Sequence, residues 1–227
     1  MSSRPERRKR AVIAGVCGLA YAGLSLAIAL LVPAFPGTDA DSTSVVAYYT
    51  AHRTAFLWGN YLGILALLPG IPFLAHVVLR VRECDHAERD WLALIVAIGA
   101  VLSHAVGLVD LVFFQLVPLI VGMAEPSVIK ALSDLACIGF GAFFAAAAGY
   151  AGVFAWAARA TRTFSRGQVV VALLCAVSCG VASVGVMVVD GPLAIGRVPT
   201  MVAFIMFVVW GFSLGGEMLW HREEAAQ

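Results

Sequence analysis

Long apolar runs separated by short polar clusters dominate the pattern of this chain. Each run holds about 20 residues or more, which is long enough for an α-helix to cross the hydrocarbon core of a bilayer. The pattern predicts six membrane-spanning helices, at residues 11–32, 55–79, 91–121, 131–157, 168–190 and 199–220. The predicted fold class is therefore all-α, a polytopic membrane protein built as a six-helix bundle.

The polar segments are too short to form a soluble domain. We expect a basic segment at 1–10, one membrane domain at 11–220 and a short tail at 221–227. The first apolar run follows RPERRKR, as the apolar part of a signal peptide would. The run continues through AGLSLAIALLVPAF without a clear cleavage site, so we interpret it as a retained first helix.

The distribution of Lys and Arg predicts the orientation of the bundle, because cytoplasmic segments are enriched in these residues. With a cytoplasmic N-terminus, the outer segments carry three of the 15 basic residues, Arg53, Lys130 and Arg197. The other twelve fall on the inner side: Arg4, Arg7, Arg8, Lys9, Arg10, Arg80, Arg82, Arg89, Arg159, Arg162, Arg166 and Arg222. Both termini are therefore predicted to be cytoplasmic.

Composition agrees with this architecture. Of the 227 residues, 61% are hydrophobic and 13% are charged, with a mean hydropathy of +0.92. Soluble domains carry about 25% charged residues. We expect membrane lipids, and no nucleic acid, as partners, and the oligomeric state is left open.

The cysteines and histidines do not predict a metal or cofactor site. No CxxC, HExxH, zinc spacing or Gly-rich phosphate loop occurs in the sequence. A heme would need facing histidines at one depth, whereas His76 lies near the inner side and His104 near mid-bilayer. We interpret the cysteines as small apolar filler and expect no cofactor. They are Cys17, Cys84, Cys137, Cys175 and Cys179.

The third helix contains an unusual polar stretch, SHAVGLVDLVFFQ at 103–115. Ser103, Gly107 and Asp110 share one helical stripe, whereas His104 and Gln115 share another face. Ionisable groups in a bilayer are costly and usually face a protein interior or a cavity. Asp110 is therefore predicted either to hold two helices together or to serve a pocket.

Further polar residues fall in the outer half of the predicted bundle. Each has a structural explanation as well, such as helix contacts for Asn60, an interfacial position for Tyr61 or a favourable dipole contact for Asp134. Together they suggest a polar pocket in the outer half. The candidate ligand-binding residues are Asn60, Tyr61, Gln115, Asp134, Asp190 and Trp210, and the candidate catalytic residues are Asp110 and His104.

Two further segments carry structural predictions. The outer loop at 33–54 starts with turn-like residues, and its second half predicts a short helix lying on the outer interface. Ser42 or Ser44 would cap that helix. In the fourth helix, small residues predict close approach of a neighbouring helix: Gly139, Gly141, Gly149 and Gly152.

Three functions are compatible with these residues. The first is a membrane protein that binds or handles a small lipophilic molecule. The second is a membrane-embedded cyclase or isomerase that needs no metal, in which a protonated Asp110 acts as general acid on an isoprenoid-like substrate. No DDxxD-like cluster for magnesium and diphosphate occurs. The third is a proton-coupled transporter with Asp110 as the proton carrier.

Several stretches resemble a known group of proteins. These are VVAYYTAHRTAFLWGNYLGILA, ALSDLACIGFGAFFAAAAGYAGVFAWAARA, VDGPLAIGR and VAFIMFVVWGFSLGGEML. In this respect the chain resembles a family of uncharacterised actinobacterial six-helix integral membrane proteins, a domain of unknown function. The resemblance implies a six-helix fold and a bacterial cell membrane, but no activity. Asp110 and His104 depart from the plain apolar third helix expected in that family.

Overall fold

A computed structural model describes residues 4–84, 90–188 and 190–220 of the chain. They form the helices α1 (Arg4–Leu31), α2 (Ser42–Glu83), α3 (Asp90–Ile120), α4 (Pro126–Thr161), α5 (Arg166–Ser183) and α6 (Val198–Trp220), with a 3₁₀ turn at Val184–Met187. Within these ranges, six helices are long and apolar enough to cross a membrane. The predicted six-helix membrane bundle is confirmed, whereas the cytoplasmic position of the termini stays a prediction. The term "outer" refers to the side of the bundle that is predicted to face away from the cytoplasm. Arg89, Arg222 and the tail at 221–227 lie outside the described residues.

The helices are arranged as a ring that follows the order of the chain. Each helix packs on the next one, and α6 returns to pack on α1. α2 also contacts α4 across the ring. Many large apolar side chains on the outside of the ring are exposed, which suits a surface that faces lipid. The ring therefore has a lipid-facing outside and an axis to which several helices contribute.

α2 is much longer than the predicted span. Its 42 residues correspond to about 63 Å at 1.5 Å per residue, roughly twice the thickness of the hydrocarbon core. Its outer end is therefore not a separate interfacial helix, and that prediction is wrong. The cap is Asp41 rather than Ser42 or Ser44, because its carboxylate accepts hydrogen bonds from the backbone N–H groups of Thr43 and Ser44 at 2.9 and 3.0 Å.

Side-chain contacts explain why α2 continues outward. Val45 and Tyr49 are fully buried, and the Tyr49 hydroxyl lies 3.3 Å from the Ser133 hydroxyl of α4. They belong to a small outer core that also includes Phe114 and Ile129. Burial of these side chains against α3 and α4 favours a helix that projects from the bundle over one that lies flat on the interface.

α1 and α6 approach each other closely at their backbones. A Cβ atom on Gly215 would lie 2.9 Å from the backbone nitrogen of Leu19, so only glycine fits there. In α4, Gly139 also has a close neighbour, because a Cβ atom there would lie 2.6 Å from Asp110 Oδ1 of α3, whereas Gly149 and Gly152 have open space where a side chain would start. The predicted close approach to α4 is therefore present at Gly139 and absent at Gly149 and Gly152.

The loop between α1 and α2, residues 32–41, is here called the outer loop. Phe35 in this loop packs on Phe114 and Phe140, with ring centroids 5.3 and 5.6 Å apart. The Tyr48 hydroxyl donates a hydrogen bond to the carbonyl of Ala34 at 2.7 Å. These contacts hold the outer loop against the outer ends of α2, α3 and α4.

Candidate functional site

A small cavity lies on the axis of the ring, near the middle of the helices. Five of the six helices contribute to its wall, which includes Tyr21, Phe73, His104, Tyr150, Phe207 and Trp210. The cavity has a volume of about 20 Å³, which is enough for one water molecule. The wall is apolar and mainly aromatic.

His104, one of the lining residues, carries one ring nitrogen without a described partner. Its Nδ1 lies 2.8 Å from the backbone carbonyl oxygen of Ala100, one turn earlier in α3. Because a carbonyl oxygen can only accept, Nδ1 carries the proton, and Nε2 of the neutral ring is then an acceptor. Nε2 is buried and has no hydrogen-bond partner among the described residues.

Trp210 presents the complementary group. Its ring packs between Tyr150 and Phe154, with centroids 5.1 and 5.3 Å away. The indole Nε1–H is a donor only, and in the described part of the chain it too is buried without a partner. Two of the lining residues therefore each carry a buried polar atom without a partner in the described ranges, an acceptor on α3 and a donor on α6.

A chain of aromatic rings links this cavity to the outer loop. The rings, which we call the aromatic column, are Phe35, Phe140, Phe143, Phe207 and Trp210. Successive ring centroids lie 5.6, 6.1, 5.6 and 6.2 Å apart. The column is an apolar path between the outer end of the bundle and the two unpaired polar atoms.

Asp110 lies outside the axial cavity, at the contact between α3 and α4. It is only 4% exposed, and its carboxylate packs against α4, where a Cβ atom on Gly139 would be 2.6 Å from Oδ1. Oδ1 has no hydrogen-bond partner within the described ranges. Six residues separate Asp110 from His104, a rotation of about 240° around the helix, so Asp110 does not line the cavity. The structure does not bring the two candidate catalytic residues together there.

The candidate ligand-binding residues of the outer half are also dispersed. Asn60 is buried, and its Nδ2 has no partner in residues 4–84, 90–188 and 190–220. The same holds for the buried Oε1 of Gln115. Tyr61 is 49% exposed and packs against the Trp58 ring, as expected for an interfacial aromatic. Of the predicted ligand-binding residues, Trp210 alone lines the axial cavity.

The charged residues at the outer end have structural contacts. Asp134 pairs with Lys130, which also donates a hydrogen bond to the carbonyl oxygen of Thr38 at 2.9 Å. Arg197 pairs with Asp39 at 3.1 Å. Asp190 is exposed in the loop before α6. The hydrogen bond from Lys130 to Thr38 joins the outer loop to α4. The pair of Arg197 with Asp39 joins the loop to the segment that precedes α6.

Tyr21 and Tyr150 were not identified from the sequence as site residues, although both line the cavity. The available signal was their position, because tyrosine in a membrane helix is enriched at the interfaces and both lie near the middle of their helices. No family model, curated protein or solved structure matches the chain. The resemblance to the actinobacterial family therefore stays a prediction.

Proposed function

We propose that this multi-pass membrane protein binds a small lipophilic molecule whose polar group enters the axial cavity. One observation carries the proposal. His104 Nε2 and Trp210 Nε1 are both buried without partners among the described residues, and both residues line the same cavity on the axis of the ring. The proposal keeps the lipophilic ligand expected from the sequence but puts its polar end near mid-bilayer rather than in the outer half.

Energetics support a ligand at this position. A buried polar atom left without a hydrogen bond costs about 1–3 kcal/mol, and the hydrocarbon core offers no bulk water to satisfy it. A polar group bound beside either residue would offset that cost for its atom. Ligand sites are also typically lined mainly by apolar and aromatic side chains, and this wall is mainly aromatic.

The size of the cavity limits how the ligand binds. A volume of about 20 Å³ takes only the polar group, so the apolar body needs additional space. We propose that rings of the aromatic column move aside to admit it, starting with Phe207, which contacts both the cavity and Phe143. The ligand would then lie along the column toward the outer leaflet of a bacterial cell membrane.

Acid catalysis and proton-coupled transport both depend on Asp110. The contact between its carboxylate and Gly139 favours a role in packing α3 against α4. These two functions stay predictions, and the geometry favours binding over either of them.

The first test is to identify what co-purifies with the full-length protein. The protein is extracted in detergent and analysed by native mass spectrometry and lipid extraction, as wild type, His104→Phe and Trp210→Phe. We expect a specific small molecule in the wild type and about tenfold less in either variant, since loss of one hydrogen bond corresponds to about that factor.

Trp58→Phe is the matched control, because it also removes an indole N–H, but from a side chain that is 57% exposed on the surface of α2. It should retain the molecule at the wild-type level. Absence of any specific molecule from the wild type, or equal retention in all four proteins, would contradict the proposal.

A further inference from the structure

A pair of tryptophans lies at the inner end of the bundle, opposite the outer loop, where α4 ends and α3 begins. The rings of Trp91 in α3 and Trp156 in α4 contact each other there, with centroids 5.0 Å apart. The two residues are 44% and 50% exposed, so both present part of their rings at the surface of the bundle. Tryptophan in membrane proteins is enriched at the depth of the lipid headgroups. The pair therefore marks the level at which headgroups meet this side of the protein.

An arginine lies directly beside this pair. Arg159 follows Trp156 by three residues in α4, so the two side chains are neighbours on one face of the helix. Helical side chains lean toward the N-terminus of their helix, which brings the Arg159 side chain toward the ring of Trp156. Arg159 is exposed and forms no ion pair with any residue in the described part of the chain.

The neighbouring acid does not balance this charge. Asp90, which precedes Trp91, pairs with Arg82 of α2 at 3.1 Å. A third arginine of the same end, Arg80, lies over an aromatic ring of the turn between α4 and α5, 5.2 Å from the ring centre. Arg82 and Arg80 are therefore engaged within the protein, whereas Arg159 keeps its positive charge available at the surface.

We infer that Trp91, Trp156 and Arg159 form a site for the headgroup of an anionic glycerophospholipid. The guanidinium group supplies positive charge and a fork of N–H donors that matches phosphate oxygens. The acyl chains have an apolar path beside the headgroup, because Leu94 and Ile98 follow Trp91 on one stripe of α3 and are both more than half exposed. A zwitterionic headgroup carries an ammonium that balances its own phosphate, so it gains less from Arg159. The inference is independent of the axial cavity.

The test is quenching of tryptophan fluorescence by brominated lipids, with the full-length protein reconstituted in phosphatidylcholine vesicles. Trp58→Phe and Trp220→Phe first remove the other two exposed rings, and Trp210 is only 3% exposed, so quenching reports on Trp91 and Trp156. Brominated phosphatidylglycerol and brominated phosphatidylcholine with the same acyl chains are then titrated in parallel. We expect half-maximal quenching by phosphatidylglycerol at a mole fraction about fivefold lower, the factor that corresponds to one arginine near an anionic membrane surface.

Variants of two arginines separate a site from diffuse attraction. Arg159→Gln should lower the ratio between the two lipids to about one, and Arg159→Lys should keep most of it because the charge remains. Arg166→Gln is the matched control, because it removes an exposed arginine from the same end of the bundle, in the first turn of α5. It should leave the ratio unchanged. Equal losses in Arg159→Gln and Arg166→Gln, or equal quenching by both lipids in the parent protein, would overturn the inference.

Discussion

At the scale of single residues, Asp110 shows how one glycine makes room for a buried carboxyl group. The carboxylate fills a notch on α4 that exists because Gly139 has no side chain. A charged group at this depth is costly in a bilayer, and none of the described residues pairs with Oδ1. The carboxyl group is thus best accommodated as a neutral group that packs between two helices.

Gly139→Ala should destabilise the bundle by about 1–3 kcal/mol, the usual cost of overpacking. The new methyl group would lie 2.6 Å from Asp110 Oδ1, so the carboxyl group would have to move within a buried interface. Gly149→Ala is the control on the same helix, because open space surrounds that position. The measurement is thermal unfolding in detergent, and equal melting temperatures for the two variants would contradict the packing role.

At the scale of helices, the stability of the first turn of α2 depends on pH through its capping residue, Asp41. Hydrogen bonds from the Ser44 hydroxyl, and then from backbone N–H groups, hold the pKa of Asp41 below its ordinary value of 3.8. Because the pKa is lowered in the folded state, the ionised carboxylate stabilises the helix end fully when the pH is above 3.8. This stabilisation is lost as the pH falls through the folded-state pKa.

The backbone N–H groups of Thr43 and Ser44 should therefore be protected above about pH 5 and lose protection below about pH 3.8, after correction for intrinsic exchange. Hydrogen exchange with mass spectrometry measures this for the start of α2. Asp41→Asn keeps a capping side chain without a titrating group, so its protection should not follow pH. Asp41→Ala should be less protected at every pH. A wild type that matches Asp41→Asn across the range would contradict the role of the carboxylate.

The helices also show what the sequence could and could not predict. The starts of α3 and α6 lie within one residue of the predicted spans, because uninterrupted apolar runs define them. The outer end of α2 was predicted to be a separate short helix on the interface, because its tyrosines suit headgroup depth. In the structure Val45 and Tyr49 are instead buried in the bundle, on the same continuous helix. The partner that buries them is α4, and no local pattern identifies it.

The site was only partly predictable for the same reason. His104 stood out as a polar residue in an apolar run, but its partner on the cavity wall, Trp210, lies 106 residues later in the chain. Their joint position depends on the ring arrangement, in which α6 closes on α1. Residue type and depth in the membrane therefore identified candidate residues. Which of these residues line the same cavity depended on the tertiary packing of the helices.

At the scale of the whole molecule, the outer loop covers the outer end of the aromatic column. Besides the hydrogen bonds from Tyr48 and Lys130 to its carbonyl groups, an ion pair and ring packing hold it there. The ion pair between Asp39 and Arg197 is partly exposed, and exposed pairs contribute about 0–1 kcal/mol and are screened by salt. Phe35 instead packs on two rings, Phe114 and Phe140. Packing should therefore dominate over charge in keeping the loop in place.

Phe35→Ala should accordingly open the loop far more than Asp39→Asn does. We expect Phe35→Ala to lower the free energy of opening the loop by about 1–3 kcal/mol. This is less than the loss for a fully buried ring, because Phe35 is only half-buried. Asp39→Asn should cost less than about 1 kcal/mol. Hydrogen exchange over residues 32–41, at low and high salt, measures both effects. If the proposed ligand enters through the column, Phe35→Ala should also retain less co-purified molecule. A larger effect of Asp39→Asn that disappears in high salt would show instead that charge holds the loop.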